Sequence, residues 1–317
     1  MEVRKLISFG SSSYVVSLPK TWVDNNKLAK GDSIYIEEKP NELVLTINHE
    51  NKEKEIREKQ IDASNKTIRR IESEIVSAYI NNYDIIEIRN LKDNSNKVKD
   101  IIQNFAGLEI LEQTATKIVA RDLININEVS IKALIRRVDI ILRSMIEDAL
   151  HCVSHSGLDI ERIHLNERDN DINRLVYLIS RMAVAAIKNP KIAKKFNTTS
   201  LEIISDLEVA KKMEIIGDNV KRFVRHIEST KDEKSFSEAC RILGILRDKY
   251  LILMKAYYSK DINTAFDIET TSKEIFAMCD KVFENNPSKH MIFLIIHLKA
   301  FMNSLRIIAR SIMLESQ

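Results

Sequence analysis

From Asn127 onward, apolar residues return every three or four positions along the chain. Leu134, Val138, Ile141, Leu142, Met145 and Leu150 form one such stripe, the mark of a helix with a single buried face. Long stretches here lack proline, which falls only in the breaks at Pro190 and Pro287. The pattern predicts six helices, at about 127–155, 167–188, 200–229, 234–259, 262–284 and 288–314. The first fifty residues read differently. Short β-prone runs, "EVRKLISF", "YVVSL", "DSIYIEE" and "ELVLTIN", are separated by turn residues, and Pro19 removes a ladder donor. "KTWVDNNKLAKGD" between them reads as a short helical turn closed by Gly31 and holds Trp22, the only tryptophan.

A mixed segment joins the two regions. "NKTIRRIESEIVSAYINN" carries Ile68, Ile71, Ile75, Ala78 and Tyr79 at helical spacing, "YDIIEIR" is a strand, and "SNKVKDIIQNFAG" is a helix ended by Gly107. "LEILEQTATKIVARDL" reads as a hairpin, and the charged run "NKEKEIREKQ" ahead of this segment as a linker or solvated face. The expected class is therefore mainly α with a small β N-terminal module. The expected domains are 1–48 (β module), 49–126 (α/β spacer, sharing a sheet with the first module) and 127–317 (helical).

Composition narrows the function classes. A net charge of +3 over 317 residues excludes a histone-like basic protein, so any nucleic-acid contact must come from local clustering. Arg4, Lys5, Lys20, Lys27 and Lys30 outnumber Glu2 and Asp24 in residues 1–30, and Ser11, Ser12, Ser13 and Tyr14 add neutral phosphate contacts. Cys152, Cys240 and Cys279 are far apart and form no CxxC, which argues against a zinc finger or disulfide framework and for a reducing cytoplasm. The N-terminus has no apolar signal core, and "MIFLIIHL" is shorter than a membrane span. Neither a nucleophile–base constellation nor a Gly-rich phosphate loop occurs, so catalysis is not indicated.

The helical region reads as two copies of a three-helix unit, about 127–229 and 234–317, when "DINRLVYLISRMA" is laid over "DIETTSKEIFAMC" and "MEIIGDNVKRFVRHI" over "LKAFMNSLRIIARSI". The first copy has two acid pairs at i,i+4, Glu167 with Asp171 and Glu214 with Asp218; the second has Asn263 with Asp267 and Lys299 with Asn303. Spacing of four puts both carboxylates on one helix face, and two such pairs would offer oxygen ligands to a divalent or iron-type cation. With 46 acids, chance supplies about seven such pairs, and a solvated face is the plainer reading of each. Gly217 lies between Glu214 and Asp218 inside a helix, where glycine costs about 1 kcal/mol, so close approach by a neighbouring helix or a ligand is expected there. Glu161 and His164 form a single ExxH, half of the di-iron motif, and read as a capping or surface pair.

Two resemblances fit these segments. "MEIIGDNVKRF" with "NERDNDINRLVYLISR" resembles the repeated E-x-x-x-D signature of the PhoU family, over about residues 127–317. "SYVVSLPKTWVDNNKLAKGDSIYIEEKPNELVLTI" is similar to the AbrB/MazE/SpoVT swapped-hairpin DNA-binding module. Archaeal PhoU-like phosphate uptake regulators join the two through an α/β spacer, in the same order as this chain. The resemblance implies a swapped-hairpin β domain, the spacer and two three-helix PhoU-type bundles in a cytoplasmic homodimer. It further implies a DNA-binding transcriptional regulator of phosphate homeostasis. DNA would be held by Arg4, Lys5, Ser11, Ser12, Ser13, Tyr14, Lys20 and Lys27, and one metal ion by Glu167, Asp171, Glu214 and Asp218. Two rival readings are an adaptor that controls a phosphate transporter or sensor kinase, with the β module only dimerising, and a metal-binding antitoxin-like partner.

Overall fold

The computed structural model describes residues 2–39, 42–47, 56–154, 158–227, 233–285 and 287–314. The expected turn at Pro40 and Asn41, the start of the expected linker, His155 and Gly157 lie outside the described residues. The chain divides into two compact units, residues 1–55 and 56–317.

In the first unit, β1 (Ile7–Phe9) and β2 (Ser13–Val15) form an antiparallel hairpin with Ile7 opposite Val15 and Phe9 opposite Ser13. Gly10 makes the turn at φ +73°, a region that costs glycine nothing. Pro19 then fixes the entry to α1 (Lys20–Asn25), which stops where the Asn26 side chain donates to the Trp22 carbonyl at 2.7 Å. A second hairpin follows, β3 (Ile34–Lys39) against β4 (Glu42–Ile47) with Ile36 opposite Leu45. Pairing in the first hairpin is shorter than the β-prone runs predict, three residues a strand. Not one described side chain in residues 2–47 is fully buried. Phe9, Tyr14, Leu6, Ile36 and Leu43 are each more than 60% exposed, so the described residues of this unit enclose no core within one chain.

The second unit opens with β5 (Glu58–Asp62), α2 (Ile68–Ile80) and β6 (Ile85–Arg89), a parallel βαβ element. Thr67 caps α2 through its hydroxyl, which accepts from the Arg70 amide. After α3 (Ser95–Gln103), β7 (Leu108–Gln113) and β8 (Lys117–Asp122) close the hairpin expected from sequence and give the order β5-β6-β8-β7. Ile61, Ile86, Ile88, Leu108, Ile118 and Ala120 bury one face of this sheet with α2 and α3. One expectation is corrected: among the described residues, this sheet shares no strand with the first unit's hairpins. The run expected as a linker or solvated face ends in β5, a strand with four exposed side chains whose buried one is Ile61, so its strand character was hidden by its charge. Gly107 adopts φ +70°, and a Cβ there would collide with Ile124.

Helices follow to the end: α4 (Ile131–Ser154), α5 (Leu158–Lys188), α6 (Pro190–Lys195), α7 (Ser200–Ile227), α8 (Glu233–Ser259), α9 (Ile262–Thr270), α10 (Ser272–Asn285) and α11 (Lys289–Leu314). The second expected helix starts earlier than position 167, at Leu158. The fifth is split at Thr271. There the hydroxyls of Thr270, Thr271 and Ser272 each bond back to a carbonyl three residues earlier, which competes with the helical ladder. α7 packs on α4, α5 and α11, while α11 also packs on α8, α9 and α10, around one apolar core. Among the described residues α11 is the one helix long and apolar enough to cross a membrane. Its Leu294, Leu298, Phe301, Met302, Leu305 and Ile308 are buried inside the protein, which accounts for that composition.

The sheet is locked to the helices by Arg181 of α5, 1% exposed. Its Nη2 pairs with Asp122 at 2.5 Å, Nη1 donates to the Tyr79 carbonyl at 3.1 Å, and the guanidinium lies 4.8 Å from the Tyr79 ring centre.

The close approach expected at Gly217 is not tight enough to require glycine, and this can be tested. A Cβ there would meet Ile172 of α5 at 3.4 Å and Leu142 and Met145 of α4 at 3.7 Å, ordinary van der Waals contact. Gly217→Ala should therefore stabilise the protein by up to about 1 kcal/mol in urea unfolding, by restoring helix propensity. A destabilised variant would mean that the helices cannot accept the methyl group.

Candidate nucleic-acid interface

All eight residues expected to meet DNA are exposed. Arg4 and Lys5 precede β1, with Arg4 ion-paired to Glu2. Ser11 and Ser12 form the β1–β2 turn, and Ser13 and Tyr14 lie on β2. Lys20 is the first residue of α1, an arrangement that Pro19 imposes, and Lys27 follows that helix at φ +51°. Trp22 is half-buried beside them. The Lys27 turn is closed by backbone bonds from its own amide to Asp24 and from Leu28 to Val23, and the next by the Asp32 carboxylate, which accepts from the Ala29 amide at 2.7 Å. Lys27 thus stands on a short, locally hydrogen-bonded turn, and Lys5 and Lys20 are exposed.

The acids of the helical region are arranged otherwise than their spacing suggests. Glu167 and Asp171 lie on the exposed side of α5, Glu167 facing His164 at 3.7 Å. Between them Asp169 turns inward, 7% exposed, and ion-pairs with Lys221 of α7. Lys221 also reaches Asp218 at 3.3 Å, and Arg222 bonds Asp218 at 2.8 Å. Glu214, half-buried, is held above the usual carboxylate range by burial first, then by the charges of Asp218 and Asp169. So Glu214 and Asp218 stay together on α7, whereas Glu167 and Asp171 do not join them. Among the described residues no three His, Cys, Asp or Glu side chains could hold a metal ion. Lys221 and Arg222 supply the positive charge that a cation would bring.

Sequence reasoning passed over Asp169 and Lys221. Asp169 is in phase with the buried Leu165, Ile172 and Val176, so the inward stripe of α5 carried the signal. In the second helical set Lys299 pairs with Asp280, and Asn303 is exposed. Burial pushes the Cys240 thiol up to about 12 and the Cys279 thiol up to about 11, which removes both as nucleophiles at neutral pH.

Residues 7–58 match the family described as antidote-toxin recognition MazE, bacterial antitoxin. The N-terminal module is of the AbrB/MazE type. The match takes in both hairpins and α1 and runs ten residues past the expected boundary at 48, to the first residue of β5. No curated protein and no solved structure matches the chain. A module of this type is compatible with a DNA-binding regulator.

Proposed function

We propose that the chain is a cytoplasmic, homodimeric transcriptional regulator of phosphate homeostasis, of the PhoU type. Its N-terminal module binds DNA, and its helical region senses or docks. The observation that carries the reading is the MazE-type module, basic and exposed at Lys5, Lys20 and Lys27, with no enclosed core in one chain. The PhoU part is supported by the E-x-x-x-D signatures and by two neighbouring helix sets, α4 with α5 and α7, and α8 with α9, α10 and α11.

Gel shifts over a salt series with DNA from upstream of its own gene test the reading. Lys5→Ala and Lys20→Ala should each weaken binding equally on specific and random sequence, because phosphate contacts carry no base information. Each should also lower the slope of log affinity against log salt by about one. Unchanged affinity and slope in both variants would leave the module as a dimerisation device, the adaptor reading. The family match also favours an antitoxin-like partner, which requires a small toxin encoded beside this chain's gene.

A further inference from the structure

α7 and α11 form the broadest helix contact in the protein, and its polar end is built from imidazoles. His297 of α11 is buried, and its Nδ1 lies 2.9 Å from Oδ1 of Asn219 on α7. The Asn219 amide is oriented by its other end, where Nδ2 donates to the Ile215 carbonyl at 2.7 Å. Oδ1 must then accept, so Nδ1 of His297 carries the proton and Nε2 is the nitrogen left to take up a second one. His226 of α7 stacks on Phe293 of α11, centroids 4.6 Å apart and planes 11° apart, and on His297 at 5.8 Å and 18°. His290, two turns before His297 on α11, has a buried Nδ1 with no hydrogen-bond partner.

The charges around this cluster disfavour a proton. His226 and Arg222 act against protonation of His297, Asp218 acts for it, and all three come from α7. His290 and Arg225 act on His226 in the same sense as burial, lowering its affinity for a proton. α8, α9 and α10 also pack on α11; Lys299 is tied to Asp280 of α10, and Arg306 and Arg310 to Glu269 of α9. Burial, first, and the neighbouring positive groups hold His297 down to about 4.

We propose that His226 and His297 form an acid-sensitive clasp that closes the α7–α11 seam while the two rings are neutral and opens it when they take up protons. An opened or unfolded His297 binds a proton near its ordinary value of 6.5, whereas the closed seam resists until about 4. Over that interval the open form binds more protons, so closure is fully supported above about 6.5 and weakens as pH falls toward 4. Glu214, raised in the folded chain, contributes with the opposite sign, losing its share as pH rises, so acid sensitivity of the seam cannot come from it.

Hydrogen exchange on the full-length protein at about pH 7.5 and about pH 5, corrected for the intrinsic pH dependence of exchange, tests the clasp. In wild type, amides of residues 219–227 and 290–298 should lose about tenfold protection at the lower pH, while β6 and β8 keep theirs. His297→Gln, a neutral side chain that still offers Asn219 a donor, should show little of that loss. If that variant does not fold, His226→Phe, which keeps the stack on Phe293 and removes one titrating ring, should reduce the loss instead. Equal seam protection at both pH values in wild type overturns the proposal. So does a loss spread evenly over sheet and helices, or a loss in the folded variant as large as in wild type.

Discussion

Arg181→Met should lower the stability of the protein by about 3–5 kcal/mol, a large share of the total for a domain of ordinary stability. Methionine fills much of the same space, so the loss would be electrostatic rather than a cavity. Without the guanidinium the Asp122 side chain, 6% exposed, loses a close counter-ion, and the Tyr79 carbonyl loses a donor. Asp122→Leu added to Arg181→Met should recover most of the loss, since removing both partners removes the buried charge along with its counter-ion. Urea unfolding of the two single variants and the double variant measures the coupling. A loss under about 1 kcal/mol for Arg181→Met would show that the pair is hydrated and does not lock the sheet to α5.

If the proposed function holds, removing residues 1–55 should leave a folded monomer that no longer binds DNA. Residues 56–317 hold both large apolar cores, one beneath the sheet and one among the helices. The first unit instead shows Val3, Leu6, Ile7, Phe9, Tyr14, Tyr35, Ile36 and Leu43 to solvent, an amount of apolar surface that a free module of this size cannot keep stable. Light scattering of the shortened chain gives the mass, and circular dichroism its helix content. A shortened chain that stays dimeric would place the dimer contact in the helical region and leave the β module to DNA alone.

Much of the fold was legible along the chain. The stripe of Leu134, Val138, Leu142 and Met145 names the buried face of α4, and alternation through Ile86, Ile88, Ile118 and Ala120 names the buried face of the sheet. Pro19 and Lys20 marked the entry to α1, and the basic residues expected to meet DNA are exposed. β5 was missed because a strand at a sheet edge with one buried side chain has no alternation to detect.

Periodicity says which residues share a helix face, but not which neighbouring helix meets that face or at what height. Glu167 and Asp171 do share a face, as spacing four requires, and the fold turned that face to solvent while Asp169, two residues from each, went inward to Lys221. The same holds for Arg181, whose partners Tyr79 and Asp122 are 102 and 59 residues away, and for His297, whose partner Asn219 is 78 residues away. Sequence by itself determined most of the elements and the apolar stripes, because these follow from local sterics and from water's exclusion of apolar side chains. Only the tertiary structure decided which charges are buried and paired. Burial of a charge depends on desolvation and on a counter-charge within a few ångströms, and that distance is set by packing between segments remote in sequence.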